Sequence, residues 1–130
     1  MWVAISPLIE GIWTYPGGEA KPMHMVFDSG GTLSFQAGFE NYNPSSWQYN
    51  PASKLLKIKV TVRSKDELLP MLKNIEIQNA NRRAYEQLDQ GLIEEVLPEA
   101  GEVTFRLGET PAIAWMGWVY FKNGESRPED

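Results

Sequence analysis

Four short segments follow one another in the first half of the chain, each carrying an aromatic or branched side chain: Gly11-Ile12-Trp13, Val26 to Phe35, Trp47-Gln48-Tyr49 and Leu56 to Val60. The second constrains the fold most. Met23, Met25 and Phe27 alternate with His24, Val26 and Asp28, and after Asp28-Ser29-Gly30-Gly31 the residues Leu33, Phe35, Ala37 and Phe39 alternate with Thr32, Ser34, Gln36 and Gly38. Period two on both sides of a Gly-rich connection specifies a β-hairpin. One face of each arm carries the bulky groups, so that face looks into a core.

The same logic extends the meander. Asn43-Pro44 and Asn50-Pro51 both start turns, and they bracket a short strand at Trp47-Gln48-Tyr49. Leu56, Ile58, Val60 and Val62 then oppose Lys57, Lys59, Thr61 and Arg63, which reads as a half-buried strand whose basic side defends a sheet edge. Near Ser64 the period changes. Ser64-Lys65-Asp66-Glu67 has the form of a capping box, Leu68, Leu72 and Ile75 follow at helical spacing, and Pro70 shortens or kinks the helix they predict. A second helix is predicted from Asn79 or Asn81 to Gly91, with Ala84, Tyr85 and Leu88 on one side.

Residues 92–97 can continue that helix or form a strand, and the preceding Gly91 favours the strand. Val103, Phe105 and Leu107 alternate with Glu102, Thr104 and Arg106 as another half-buried strand. Residues 112–121 read as one last strand, with Ile113, Trp115, Val119 and Phe121 on one side and Ala112, Ala114, Met116, Trp118 and Tyr120 on the other. Neither side is polar, so both need cover. The helices, the Trp2-Val3-Ala4-Ile5 segment, a partner or a second copy of the chain could supply it.

Gly11-Ile12-Trp13 ahead of this meander resembles the start of lipocalin-like (calycin) barrels, in which a Gly-x-Trp opens the first strand and later hairpins carry a large aromatic apiece. The resemblance covers residues 8–62 and the strands of 102–122. It implies that Trp13 closes a barrel floor, with Arg106 as the candidate for the Arg that often backs it. The expected architecture is α+β: an antiparallel barrel or half-barrel of six to nine strands over residues 1–122, with one or two short helices inserted at about 64–90. Residues 123–130 form a polar tail.

Composition narrows the chemistry. At 130 residues the chain fits one domain, and five each of Trp, Tyr and Phe suffice for a core without cross-links. Cysteine is absent, which removes disulfides, thiolate metal sites and Cys nucleophiles and suits a reducing compartment. The start Met1-Trp2-Val3-Ala4 has no secretory pattern, and no apolar run approaches the roughly 18 residues of a membrane span. A cytoplasmic, soluble protein is expected.

His24 is the single histidine and lies on the polar side of its strand, so it is expected on the surface or hydrogen-bonded, with no metal site. Glu94 and Glu95 are adjacent and on a strand would face opposite sides, unlike the paired carboxylates of a glycosidase. No nucleotide-binding or nucleophile-elbow motif occurs. Neither enzymatic activity nor a cofactor is expected.

Two binding readings remain. The net charge of −5 is concentrated after residue 63, where seven Lys/Arg face thirteen Asp/Glu. Such a balance works against nucleic acid and favours a basic partner. Tyr85, Glu86, Asp89, Glu94, Glu95, Glu99 and Glu102 are the candidate contact residues. A small, acidic, cysteine-free profile is similar to that of bacterial immunity proteins, which neutralise basic nuclease toxins by occupying them. Alternatively, Trp13, Phe27, Phe35, Phe39, Phe105 and Trp115 line an apolar cavity in an intracellular small-molecule carrier if the barrel is wide, and fill it if it is narrow. A homo-oligomer through 112–121 is a third possibility.

Overall fold

The alternation at 23–39 becomes a hairpin in the computed structural model, which describes residues 1–15, 22–61, 92–97, 100–108, 112–115 and 118–122. Strands β2 (Met23–Asp28) and β3 (Thr32–Gln36) pair antiparallel from His24 opposite Gln36 to Asp28 opposite Thr32. Gly30 and Gly31 turn the chain at φ of 94° and 95°, backbone that a side chain would strain. Gly31 is doubly required. A Cβ there would lie 3.1 Å from the Ala4 Cβ and 3.2 Å from the Trp47 carbonyl oxygen.

The remaining strands are β1 (Gly11–Tyr15), β4 (Ser45–Asn50), β5 (Leu55–Lys59), β6 (Leu92–Leu97), β7 (Glu102–Arg106), β8 (Ala112–Trp115) and β9 (Trp118–Lys122). The nine described strands form one antiparallel sheet in the order β6-β7-β5-β4-β3-β2-β1-β9-β8. The sheet curls into a half-barrel: Trp115 on β8 reaches across the interior to Phe105 on β7, ring centroids 6.4 Å apart. The barrel expectation is met at this level, with β6 and β8 as the outermost described strands. The helices expected at about 64–90 and the tail at 123–130 lie outside the described residues, which include a 3-10 turn at Glu40–Tyr42.

Local chemistry explains the turns. Between β4 and β5, Asn50 Oδ1 accepts from the backbone N–H groups of Ala52 at 3.1 Å and Ser53 at 3.4 Å, the Asx turn that Asn-Pro favours. Between β3 and β4 pairing is brief, limited to Thr32 with Ser46 and Leu33 with Ser45. Beyond it, Asn43 stands in for a strand. Its Oδ1 accepts from the Phe35 N–H and its Nδ2 donates to the Phe35 carbonyl, both at 2.9 Å. The free edge of β4 is taken by the N-terminal segment, where Val3 and Tyr49 exchange two backbone hydrogen bonds of 2.8 Å.

Several expectations are corrected. β3 stops at Gln36, and Ala37 and Phe39 adopt left-handed φ of 63° and 62° instead of extending the strand. Gly38 leaves room for Met23 beside this bend: a Cβ on Gly38 would stand 2.4 Å from its Sδ. β5 lies between β4 and β7, so its lysines coat a sheet face and do not defend an edge. Trp2-Val3-Ala4-Ile5 does not cross the final strand; Val3 pairs with β4, and the Trp2 ring meets Lys57 on β5 at 4.4 Å.

The segment 112–121 is two strands. β8 and β9 pair antiparallel with each other, from Ala112 opposite Phe121 to Trp115 opposite Trp118. That reversal changes which residues share a side. Tyr120 would oppose Trp115 on a continuous strand; in the hairpin it joins Trp115 and Ile113 in the core. Ala112 and Phe121, on the other side, are buried within the same chain at 0% and 7% exposure.

Candidate functional site

The inner surface of the half-barrel is built from the inward residues of every hairpin. Trp13 comes from β1, Phe27 from β2, Phe35 from β3, Trp47 from β4, Phe105 from β7 and Trp115 from β8. None is more than 1% exposed. Trp13 and Phe27 lie 5.3 Å apart between ring centroids, and Phe27 meets Trp47 at 6.0 Å. Trp115 sits at the centre of a second group, 5.3 Å from Phe35, 6.0 Å from Tyr42 and 6.5 Å from Phe39. The six residues expected to line or fill a cavity are thus brought together. They belong to or pack against one buried core cluster, with ring separations of 5.3–6.5 Å between neighbours among them.

The polar ends of these rings are mostly served. Trp13 Nε1 donates to the Ile9 carbonyl at 2.8 Å and Trp47 Nε1 to the Asp28 carbonyl at 2.9 Å. Arg106 therefore does not back Trp13; the backbone of Ile9 takes that place. Trp115 Nε1 differs, being buried without a hydrogen-bond partner among the described residues. Tyr120 is buried with its hydroxyl 3.9 Å from the Met23 sulfur, a weak acceptor. Burial, and then the neighbouring Tyr15, push the Tyr120 phenol well above the usual tyrosine range.

The outer surface of β4, β5, β7 and β6 is mainly polar, with Leu55 and Leu97 as its apolar members. Ser46 and Gln48 come from β4, Lys57 and Lys59 from β5, Glu102, Thr104 and Arg106 from β7, and Glu94 and Glu95 from β6. A shift of register between Ile93 and Glu95 leaves Glu94 as the extra residue of a β-bulge. It changes which side chains reach the surface. Adjacent residues of a regular strand would point to opposite sides, but the bulge leaves both glutamates exposed. Glu94 Oε1 lies 3.0 Å from Arg106 Nε. Glu95 and Glu102 have no cation within ion-pair distance among the described residues. The face as a whole is mixed, with Lys57, Lys59 and Arg106 beside the three carboxylates.

A cleft of about 350 Å³ opens on this face, bounded by Ala4, the Gly30-Gly31 turn, Ser46, Gln48, the two lysines and Glu102. The sequence signals for it were separate. The Gly-Gly turn, the alternation of β4 and the lysines of β5 were each legible, but only the sheet order puts them side by side.

Tyr85, Glu86, Asp89 and Glu99 lie outside the described residues. His24 is half-buried, its Nδ1 3.0 Å from the Thr14 hydroxyl, the hydrogen-bonded position expected of it. Among the described residues no group of His, Asp and Glu is placed to hold a metal ion, and no helix is long and apolar enough to cross a membrane. Comparison with protein-family models, characterised proteins and solved structures finds no match for this chain.

Proposed function

We propose that this protein is a non-enzymatic binding protein that captures a basic protein partner on the outer side of β6 and β7 and neutralises it by occupancy, as an immunity protein does a nuclease toxin in the cytoplasm. One observation carries the reading: the bulge in β6 presents Glu94 and Glu95 together, exposed, on the outermost described strand. Glu102 lies opposite Leu97 on the neighbouring strand, and Leu97 is 45% exposed, an apolar contact beside the carboxylates. Tyr85, Glu86, Asp89 and Glu99 extend the same reading from the sequence. Carboxylates placed this way raise association rates with a cationic surface and make them salt-dependent.

Arg106 tempers the charge, since it already answers Glu94. The weight therefore falls on Glu95 and Glu102. A pull-down with a basic nuclease toxin domain at low and high salt is the test. Capture is expected to weaken by at least about tenfold between the two salts and to vanish on charge reversal of Glu94, Glu95, Glu99 and Glu102. Capture that survives the reversal sinks the reading.

A second reading, the lipocalin-like carrier of an apolar small molecule, is favoured by the unpartnered Nε1 of Trp115, a donor aimed into the interior. A ligand with one acceptor atom would satisfy it. Against this stand the contacts that Trp115 already makes with Phe35, Phe39, Tyr42 and Phe105.

A further inference from the structure

The cleft beside the Gly30-Gly31 turn has the composition of a ligand site and no part in the capture just proposed, apart from Glu102 at its border. Its floor is the outer face of β4 and β5, and its wall is the N-terminal segment. That segment is fixed at three points: Val3 pairs with Tyr49, the Ala4 carbonyl accepts from the Gly30 N–H at 2.9 Å, and the Trp2 ring stacks under the Lys57 ammonium. Gly31 allows the close approach of Ala4 that forms the wall, whereas nothing lies within 4 Å of a Cβ built on Gly30, so the cleft is open there.

Four of the polar groups at this site are unengaged. Ser46, Gln48, Lys59 and Glu102 each make no side-chain hydrogen bond or ion pair to another described residue. Lys59 and Glu102 are directly opposite one another across β5 and β7, yet they do not close into an ion pair. Lys57 is half-buried, and its ammonium has the indole face of Trp2 as its described partner. The ring face takes up no conventional acceptor, so the ammonium, with three donors, can still donate to one. Small-ligand sites are concave with a few convergent polar groups, and here those groups are two ammoniums, an amide, a hydroxyl and one carboxylate.

We infer that this cleft binds a small acidic ligand, with Lys57 and Lys59 taking its carboxylate or phosphate and Glu102 accepting from a hydroxyl or ammonium on the same molecule. The donor set favours an anion because two full positive charges face one negative one. Glu102 makes a zwitterion or hydroxy acid fit better than a simple anion.

Amide chemical-shift titration of the full chain tests this, using glutamate, O-phosphoserine and inorganic phosphate in physiological salt. The expected result is saturable shifts at Gly30, Ser46 and Gln48 with half-saturation at or below about 10 mM. Saturation by phosphoserine and phosphate alone assigns a phosphate ligand, and saturation by glutamate as well assigns a carboxylate. Lys57→Met with Lys59→Met should weaken every saturating probe by at least about tenfold, while Glu102→Gln should weaken the two ammonium-bearing probes and spare phosphate. Retained dispersion of the amide spectrum shows that the variants fold. Non-saturating shifts with all three probes, or shifts unchanged by the lysine pair, overturn the proposal. The lysine variant should keep its capture of a basic protein, so failure of one site leaves the other readable.

Discussion

The inner and outer surfaces of the half-barrel come from the same strands, yet they solve opposite problems. Inside, Trp13, Phe27, Phe35, Phe105 and Trp115 are buried to within 1% and make ring-to-ring contacts at 5.3–6.5 Å. Outside, Ser46, Gln48, Lys59, Glu95 and Glu102 end without a described partner. An interior so engaged with itself is a source of stability. An exterior with unengaged groups, at little cost in water, is where a ligand or partner can gain something.

The contrast predicts unequal mutational effects. Trp115→Ala removes the ring that four other aromatics contact and leaves a cavity at the centre of the half-barrel. Urea unfolding should show a loss of roughly 3–5 kcal/mol. A loss under about 1 kcal/mol would mean that the interior is looser than its contacts imply.

Tyr120→Phe should act through pH. Its phenol is raised in the folded state, so the native protein holds the proton after the unfolded chain has released it. The stabilisation from this group is whole below the unfolded value of about 10 and falls as pH rises beyond it, at up to roughly 1.4 kcal/mol per unit. Unfolding at pH 8 should find wild type and Tyr120→Phe nearly equal, because the hydroxyl meets only the Met23 sulfur. At pH 11 the variant should be the more stable of the two. An identical alkaline loss in both would break this part of the comparison.

Arg106→Ala should have the smallest effect. Its bond to Glu94 is made with side chains 52% and 32% exposed, and such pairs contribute about 0–1 kcal/mol. Thermal unfolding should barely move. In the pull-down, by contrast, removal of this cation should strengthen capture of a basic protein, which separates a recognition role from a structural one.

How much of this was legible in the sequence depends on the range of the interaction. Local alternation located β2, the start of β3, β5 and β7, and Asn50-Pro51 marked its turn correctly. Ala37 and Phe39 continue the alternation of β3 in the sequence, but both adopt left-handed backbone beside Gly38, which makes room for the Met23 side chain. The division of 112–121 into β8 and β9 was hidden because apolar residues occupy both strands. The aromatic cluster was readable as a set, except for Trp47 and for Tyr42, which lies in the 3-10 turn, where strand alternation does not apply. Neither the bulge at Glu94 nor the cleft beside Gly31 has a local signature. Both arise from which strands are neighbours, and sheet order is a long-range property.

The central claim is that recognition takes place on the outer surface because the inner one is filled by its own aromatic rings. Tryptophan-fluorescence titration with a fatty-acid-like probe tests it most directly, since Trp13, Trp47 and Trp115 all report on the interior. The account predicts no saturable quenching at probe concentrations up to about 10 µM, where a carrier with micromolar affinity would be mostly occupied. Stoichiometric, saturable quenching that disappears in Trp115→Phe would contradict it and place the ligand inside the half-barrel.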